Sequence, residues 1–293
     1  MVVRKPIWTS SSFLLYTGGI VVLLSGLGAL GYLSTQYGQG ALVAWTLIPL
    51  AVLLAVALAF HRRGAWLPAG VFAFTTIVVW IVLWGELVDW WGWGPKGNGF
   101  FDGFNWSIWL VALFAYAAAA AGLRVFRFPL LVIFLIESVY YVVTDFVSNG
   151  GTWSVVVTLL FGLAFLAIGV ARDRGPKRPY GFWYHFAAAA QIGGALLDWW
   201  HSSETDWALL ATAAVVYVLV AGATRRSIWA VYGFAGIVAA ATHWTLEWTA
   251  TPFFNAFQTP RFWVPPLVFG VVGFFVVLLG LVVARRERTP HSA

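Results

Sequence analysis

The stretch RFPLLVIFLIESVYYVVTD, from Arg127 to Asp145, decides the class of fold. It begins with an arginine, continues through a long apolar run and ends with an aspartate. A helix that crosses a membrane needs about 20 mostly apolar residues. In lipid, a helix satisfies its backbone hydrogen bonds without any partner segment. We therefore predict a membrane-spanning helix over 128–146, with one carboxylate, Glu137, near its middle.

The composition extends this prediction to the whole chain. Of the 293 residues, 61% are hydrophobic and 10% are charged, and the mean hydropathy is +0.84, whereas a soluble domain carries about 25% charged residues. The alternating pattern of a membrane barrel is not found. Because the chain has no cysteine, disulfides and thiolate metal sites are excluded. The prediction is an all-α integral membrane protein with a single polytopic domain over 1–293.

Ten apolar runs are long enough to predict spans. The first is interpreted as a retained span rather than a cleaved signal peptide, because it is long enough to cross. The predicted spans are 12–33, 41–60, 67–89, 106–124, 128–146, 153–171, 181–200, 207–223, 227–248 and 263–284.

The basic residues predict the orientation of these spans. They fall at alternate span ends, so that only Lys96 and Arg261 of the 17 Lys and Arg residues lie on the poorer side. The rich side is cytoplasmic by the positive-inside rule, which places both termini in the cytoplasm. Only 3 of these 17 residues are lysine, and the chain is rich in alanine. This composition favours a bacterial source and therefore the plasma (inner) membrane.

The sequence also repeats itself. GELVDWW at 85–91 and GALLDWW at 194–200 end two spans that run in the same direction. A tryptophan opens every even-numbered span, and an acid ends four of the odd ones. The preference of tryptophan for the membrane interface explains part of this pattern. A direct four-helix repeat laid over five antiparallel hairpins explains the rest. The tryptophans are Trp45, Trp106, Trp153, Trp207 and Trp263, and the acids are Asp89, Asp145, Asp198 and Glu247.

Glu137 is the first candidate for a functional residue. A carboxylate near the bilayer midplane is costly, so it is expected to face the interior of the bundle and to be paired or protonated. Tyr141 and Asp145 follow at i+4 and i+8 and predict a polar stripe that leads to the outer surface. This stripe suits a proton or cation relay or a ligand contact. A hydrogen bond that holds two helices together is the structural alternative.

Further candidates for binding or relay lie near the outer ends of the spans: Glu86, Asp89, Asp198, His201, His243 and Glu247. His243 and Glu247 share one helix face at i and i+4. Two histidines with several acids suit a metal in chemical terms. However, the HExxH pattern and a second histidine at helical spacing are both lacking, so no metal is predicted. His185 is interpreted as an interfacial residue rather than a haem ligand, and no cofactor is predicted.

Three functions remain open. The first is transport or permeation of a cation, proton or small solute through the use of Glu137. The second is a non-catalytic scaffold or accessory subunit that binds lipid or pigment. The third is an outer-face enzyme, which requires Asp198, His201, His243 and Glu247 to converge. Because the chain lacks the common catalytic motifs, an enzyme is the less favoured reading. The expected partners are membrane lipids and other membrane subunits; the scattered basic residues do not predict nucleic-acid binding.

Overall fold

The computed structural model describes residues 10–93, 106–147, 152–175, 178–250 and 260–288, and in these ranges it is helical without any strand. These ranges contain nine helices and a 3-10 turn at Pro129–Leu131. Their bounds are α1 Ser10–Arg62, α2 Trp66–Trp90, α3 Trp106–Phe126, α4 Val132–Val147, α5 Thr152–Asp173, α6 Arg178–Trp199, α7 Glu204–Thr224, α8 Ser227–Thr249 and α9 Val264–Arg288.

Five helical segments of the described chain are long and apolar enough to cross a membrane. The predicted class, an all-helical chain suited to a membrane, is therefore confirmed. The number of ten spans, their orientation and the internal repeat stay predictions. The five segments are Tyr37–Arg62, Trp66–Trp90, Trp106–Phe126, Thr152–Asp173 and Glu204–Thr224.

The first helix differs from the prediction in one respect. The sequence predicts two helices separated by a loop of several residues, at 34–40. In the structure, helix geometry is interrupted only at Gly38, where φ is 74° and ψ is 170°. Glycine adopts a positive φ readily because it has no Cβ atom. A single-residue kink therefore replaces the predicted loop.

The chain divides into two compact units, Met1–Ser154 and Val155–Ala293. In the first unit, apolar side chains of α1 to α4 form a dense core around Ile77 and Leu131. The ring of Phe128 occupies the position that a side chain at Gly70 would fill. Phe74 of α2 packs on Phe134 of α4, with 4.9 Å between the ring centroids.

In the second unit, α5 packs closely on α6. A Cβ atom built on Gly162 would lie 2.6 Å from Cγ1 of Ile192, so glycine is required for this approach. Helix α7 begins with a capping box in which Ser203 and Asp206 bond each other's backbone N–H groups. Such a box satisfies two of the helix's otherwise unpaired donors.

Most basic side chains lie at one end of each unit and most acidic ones at the other. In the first unit, a ring contact of 5.5 Å between His61 and Phe126 brings together the ends of α1 and α3 that carry arginines. We call this the basic end, and the end that carries Glu86 and Asp89 the acidic end. In the second unit, the basic end carries Arg225 and Arg226 between α7 and α8. Its acidic end carries Glu204, Asp206 and Glu247.

Candidate functional site

Glu137 lies on the inward face of α4. Successive helical residues are about 100° apart around the axis, which places Glu137 about 160° from the exposed Val139. The buried residues Ile136 and Tyr140 flank it on one side and Ser138 on the other. Glu137 is nevertheless only partly buried. It therefore lies on the buried side of α4 but is incompletely covered by the described residues.

Glu137 makes no hydrogen bond or ion pair with the described residues. Tyr141, one turn further along the same face, is also partly buried, and its ring lies 5.5 Å from that of Tyr140. Asp145, in the next turn, is buried. The helix thus carries the predicted stripe in the predicted order. Whether these three residues form a relay stays a prediction.

Glu86 and Asp89 contact the second half of α1 at the acidic end. Oε1 of Glu86 lies 3.0 Å from the hydroxyl oxygen of Thr46, which is fully buried. Oε2 of Glu86 is buried and has no hydrogen-bond partner among the described residues. Asp89 accepts a hydrogen bond from the side-chain amide of Gln39, the residue after the kink. Two of the predicted acids are therefore tied to one helix pair.

The ring contact between Phe74 and Phe134 aligns α2 with α4. Glu137 lies three residues after Phe134 on α4, and Glu86 lies twelve residues after Phe74 on α2. At a rise of 1.5 Å per residue, Glu86 is about 14 Å nearer the acidic end than Glu137. This height corresponds to the level of Asp145. Polar groups therefore occur at two levels of the unit, near its middle and near its acidic end.

An apolar layer fills the first unit between Glu137 and the basic end. Its buried members are Ala57, Val71, Ala73, Ile77, Ala119, Phe128 and Leu131. Phe60 stacks on Phe72 in the same layer, with a centroid distance of 5.7 Å. The layer also contains the buried residues Thr75 and Thr76, whose hydroxyls donate to carbonyls of their own helix, whereas the described carboxylates of this unit lie on the acidic side of the layer.

In the second unit, His243 of α8 bonds Glu204 of α7. The distance from His243 Nε2 to Glu204 Oε1 is 3.1 Å, and Trp244 donates its indole N–H to Oε2 of the same carboxylate. Trp207 stacks on the His243 ring at 4.3 Å. Glu204 and His243 lie on different helices. Spacing along one helix therefore could not predict that they are in contact.

The remaining predicted residues at this end are exposed. His201 bonds the carbonyl of Leu197 one turn earlier, and Asp198 and Glu247 point to no partner in the described part of the chain. No hydrogen bond there joins these three residues to His243. Among the described residues, no group of three His, Asp or Glu side chains is arranged to hold a metal ion.

A buried network at the basic end of the second unit was not predicted. His185 is fully buried, its Nε2 lies 3.0 Å from Oδ2 of Asp173, and its Nδ1 accepts the indole N–H of Trp229 at 3.0 Å. Arg226 donates two hydrogen bonds to Asp173. The ring of His185 lies against Gly169 of α5. A side chain at position 169 would crowd this ring. The network joins α5, α6 and the start of α8.

This network fixes the tautomer of His185. The indole N–H of tryptophan can only donate, so Nδ1 of His185 must carry a lone pair. The proton is then on Nε2 and is donated to Asp173. One signal in the sequence could have revealed the network: Asp173 is a single acid within the basic segment RDRGPKR, where an ion pair is expected.

Comparison of the chain with protein-family models, with curated proteins and with solved structures finds no match.

Proposed function

We propose that this chain is a multi-pass protein of the bacterial plasma membrane, with both termini in the cytoplasm, that moves a cation, a proton or a small solute and uses Glu137 as its central carboxylate. The ten predicted spans and the charge asymmetry of their ends support the orientation. The separation of basic and acidic ends within each unit is consistent with it. In this orientation the acidic ends face outward.

The observation that carries the proposal is the environment of Glu137. An ionisable residue within a membrane-spanning segment is costly, and such residues mark ion pathways and proton relays. Glu137 lies on the inward face of α4, is incompletely covered and makes no hydrogen bond or ion pair with the described residues. A carboxylate that only held helices together would be expected to bond a neighbouring helix.

The distribution of polar groups supports an outward-facing form of the first unit. Toward the acidic end, Glu137 is followed by Tyr141 and then by Asp145, with Glu86 at about the level of Asp145. Toward the basic end, the apolar layer around Phe128 and Leu131 closes the interior. Alternating access requires a site that is closed on one side while it is open on the other. Transport would then require the apolar layer to open.

Lipid is the partner that the outer surface supports. Large apolar side chains project from several helices, among them Leu113 of α3, Leu160 of α5 and Phe274 of α9. Tryptophans are exposed where helices begin or end, including Trp90 and Trp106. Tryptophan prefers this interfacial level of a membrane, because its ring is apolar and its N–H is polar.

The test is ion and solute flux in liposomes that contain the purified protein or its Glu137→Gln variant. Glu287→Gln, which changes a glutamate in the last helix far from the spans' middle, is the matched control. We expect flux in the parent and in the control and its loss in Glu137→Gln. Equal flux in all three would remove Glu137 from the path. Absence of flux in a stable parent would favour the scaffold function instead.

A further inference from the structure

The contacts of Thr46 restrict where its single hydroxyl hydrogen points. The hydroxyl oxygen lies 3.0 Å from the carbonyl of Leu42, one turn earlier, and 3.0 Å from Oε1 of Glu86. A threonine hydroxyl has one hydrogen and two lone pairs. It therefore donates one full hydrogen bond, and a second bond must be one that it accepts.

Three other buried threonines of the described chain bond the backbone of their own helix. Thr75, Thr76 and Thr245 each donate to the carbonyl four residues earlier, at 2.7 to 3.1 Å. This is the usual bond of a threonine within a helix. If Thr46 does the same toward Leu42, its oxygen accepts from Glu86, and Oε1 of Glu86 must then carry a hydrogen.

The second oxygen of Glu86 leads to the same conclusion. Oε2 is buried without a hydrogen-bond partner among the described residues. A carboxylate shares its negative charge over both oxygens, and a buried charged oxygen without a donor is very costly. A neutral carboxylic acid leaves only a carbonyl oxygen at that position. Both oxygens of Glu86 are therefore best satisfied when the group is protonated.

The surroundings of Glu137 also suit a proton rather than a metal cation. A metal cation is normally held by six or so oxygen ligands, whereas a proton needs one oxygen. Helix α4 runs unbroken from Val132 to Val147, so the backbone carbonyls next to Glu137 are engaged in the helix. Within one turn of Glu137, helix α4 carries three hydroxyl-bearing side chains, Ser138, Tyr140 and Tyr141, which is fewer than a metal cation normally requires. A single carboxyl group in these surroundings is equipped to take up a proton.

Resting on the function proposed above, we propose that the ion is a proton and that Glu86 with Thr46 forms its binding station nearest the acidic end. At each station a carboxylate oxygen takes up a proton to form an O–H bond, and the bond breaks when the proton leaves. No group is oxidised or reduced in either step. Glu137 is the deeper station, about 14 Å further along the helices.

The test uses liposomes with an internal pH indicator and an imposed membrane potential, with sodium and potassium flux followed in parallel. We expect proton uptake that does not require either metal ion. Glu86→Gln and Thr46→Val should each slow it, Glu86→Gln by about tenfold or more, because a positioned acid–base group contributes at least that much to a proton transfer. The matched control is Thr76→Val, which removes a buried threonine that bonds only its own helix.

The outcomes separate this inference from the proposed function. Sodium or potassium flux without proton flux would preserve the transport function and overturn the proton. Proton flux unchanged by Glu86→Gln would overturn the station. Absence of proton, sodium and potassium flux in the parent protein would overturn the transport function itself.

An infrared spectrum keeps the inference testable if Glu86→Gln is inactive or unstable in liposomes. The carbonyl stretch of a protonated carboxyl group is separate from the bands of an ionised one. We expect Thr46→Val to shift one such band in the detergent-solubilised protein, because the variant removes the acceptor of the Glu86 hydrogen. A spectrum in which Thr46→Val changes only ionised-carboxylate bands would overturn the protonated Glu86.

Discussion

His185 illustrates how a buried polar residue is held at the residue scale. Both of its ring nitrogens have partners, Asp173 at Nε2 and Trp229 at Nδ1. Nothing on the ring is left for a ligand, so the network holds helices in place rather than performing chemistry. The nitrogens also differ in role, since one donates and one accepts.

We predict that His185 is neutral and protonated only at Nε2. The reason is that Trp229 can only donate to Nδ1. Nitrogen NMR of histidine-labelled protein distinguishes the two ring nitrogens directly. Replacing Trp229 with phenylalanine keeps a six-membered ring but removes the donor and leaves a small cavity. We expect it to lower the stability by about 1 kcal/mol for the lost hydrogen bond, with a further loss for the cavity, and to release the tautomer. A protonated Nδ1 in the parent would contradict this assignment.

Removing Asp173 should have a larger effect than removing Trp229's donor. Asp173→Ala leaves the buried His185 without its acceptor and Arg226 without its carboxylate. The loss of a buried hydrogen-bond partner costs about 1–3 kcal/mol. Thermal unfolding in detergent measures the difference. Asp198→Ala, at an exposed aspartate of α6, is the control, and a similar loss in both variants would show that the network adds nothing.

At the scale of single helices, the glycines of α5 and α6 make different demands. An added methyl at Gly162 would lie 2.6 Å from the Ile192 side chain and 3.0 Å from its backbone nitrogen. Gly194, the first residue of the second repeated phrase, has open space around its missing Cβ atom. Its counterpart Gly85 is equally open. Close packing therefore does not explain why the repeated phrases begin with glycine.

We predict opposite signs for two glycine-to-alanine substitutions. Gly162→Ala should destabilise the protein by about 1–3 kcal/mol, because the helix pair is already tightly packed. Gly194→Ala should be neutral or should stabilise by up to about 1 kcal/mol, since alanine favours a helix more than glycine does. Unfolding in a denaturing detergent series compares them. Equal effects at the two positions would contradict the packing of α5 on α6.

Much of the helical pattern followed from the sequence. The predicted range 67–89 lies within α2 at Trp66–Trp90, and 106–124 lies within α3 at Trp106–Phe126, because apolar runs bounded by charge have few other solutions in lipid. The connection at 34–40 could not be foreseen. A single residue with a positive φ can replace a loop, and composition does not distinguish the two.

The candidate site was less predictable for a physical reason. Spacing along one helix located Glu137 with Tyr141 and Asp145, because those residues share a face. Contacts between helices depend on packing that spacing does not encode. Only the structure reveals three such contacts: Thr46 with Glu86, Glu204 with His243, and His185 with its network.

At the scale of the whole molecule, the orientation is open to a direct test, because the chain has no cysteine. Single cysteines can replace His61 and Ser227 at the basic ends and Trp93 and Ser202 at the acidic ends. We expect a membrane-impermeant thiol reagent to label the second pair in intact cells and the first pair only after permeabilisation. Labelling of one basic and one acidic position from the same side would contradict the predicted topology.

Under the proposed function, Glu137 lies on a polar route that is open toward the acidic end and closed toward the basic end. The most direct measurement is the labelling of Glu137→Cys in oriented membrane vesicles by a small water-soluble thiol reagent, with Val139→Cys on the opposite face as the control. We predict that residue 137 reacts from the acidic side only and that residue 139 does not react. Absence of labelling at both positions, or labelling at 137 from the basic side alone, would contradict this route.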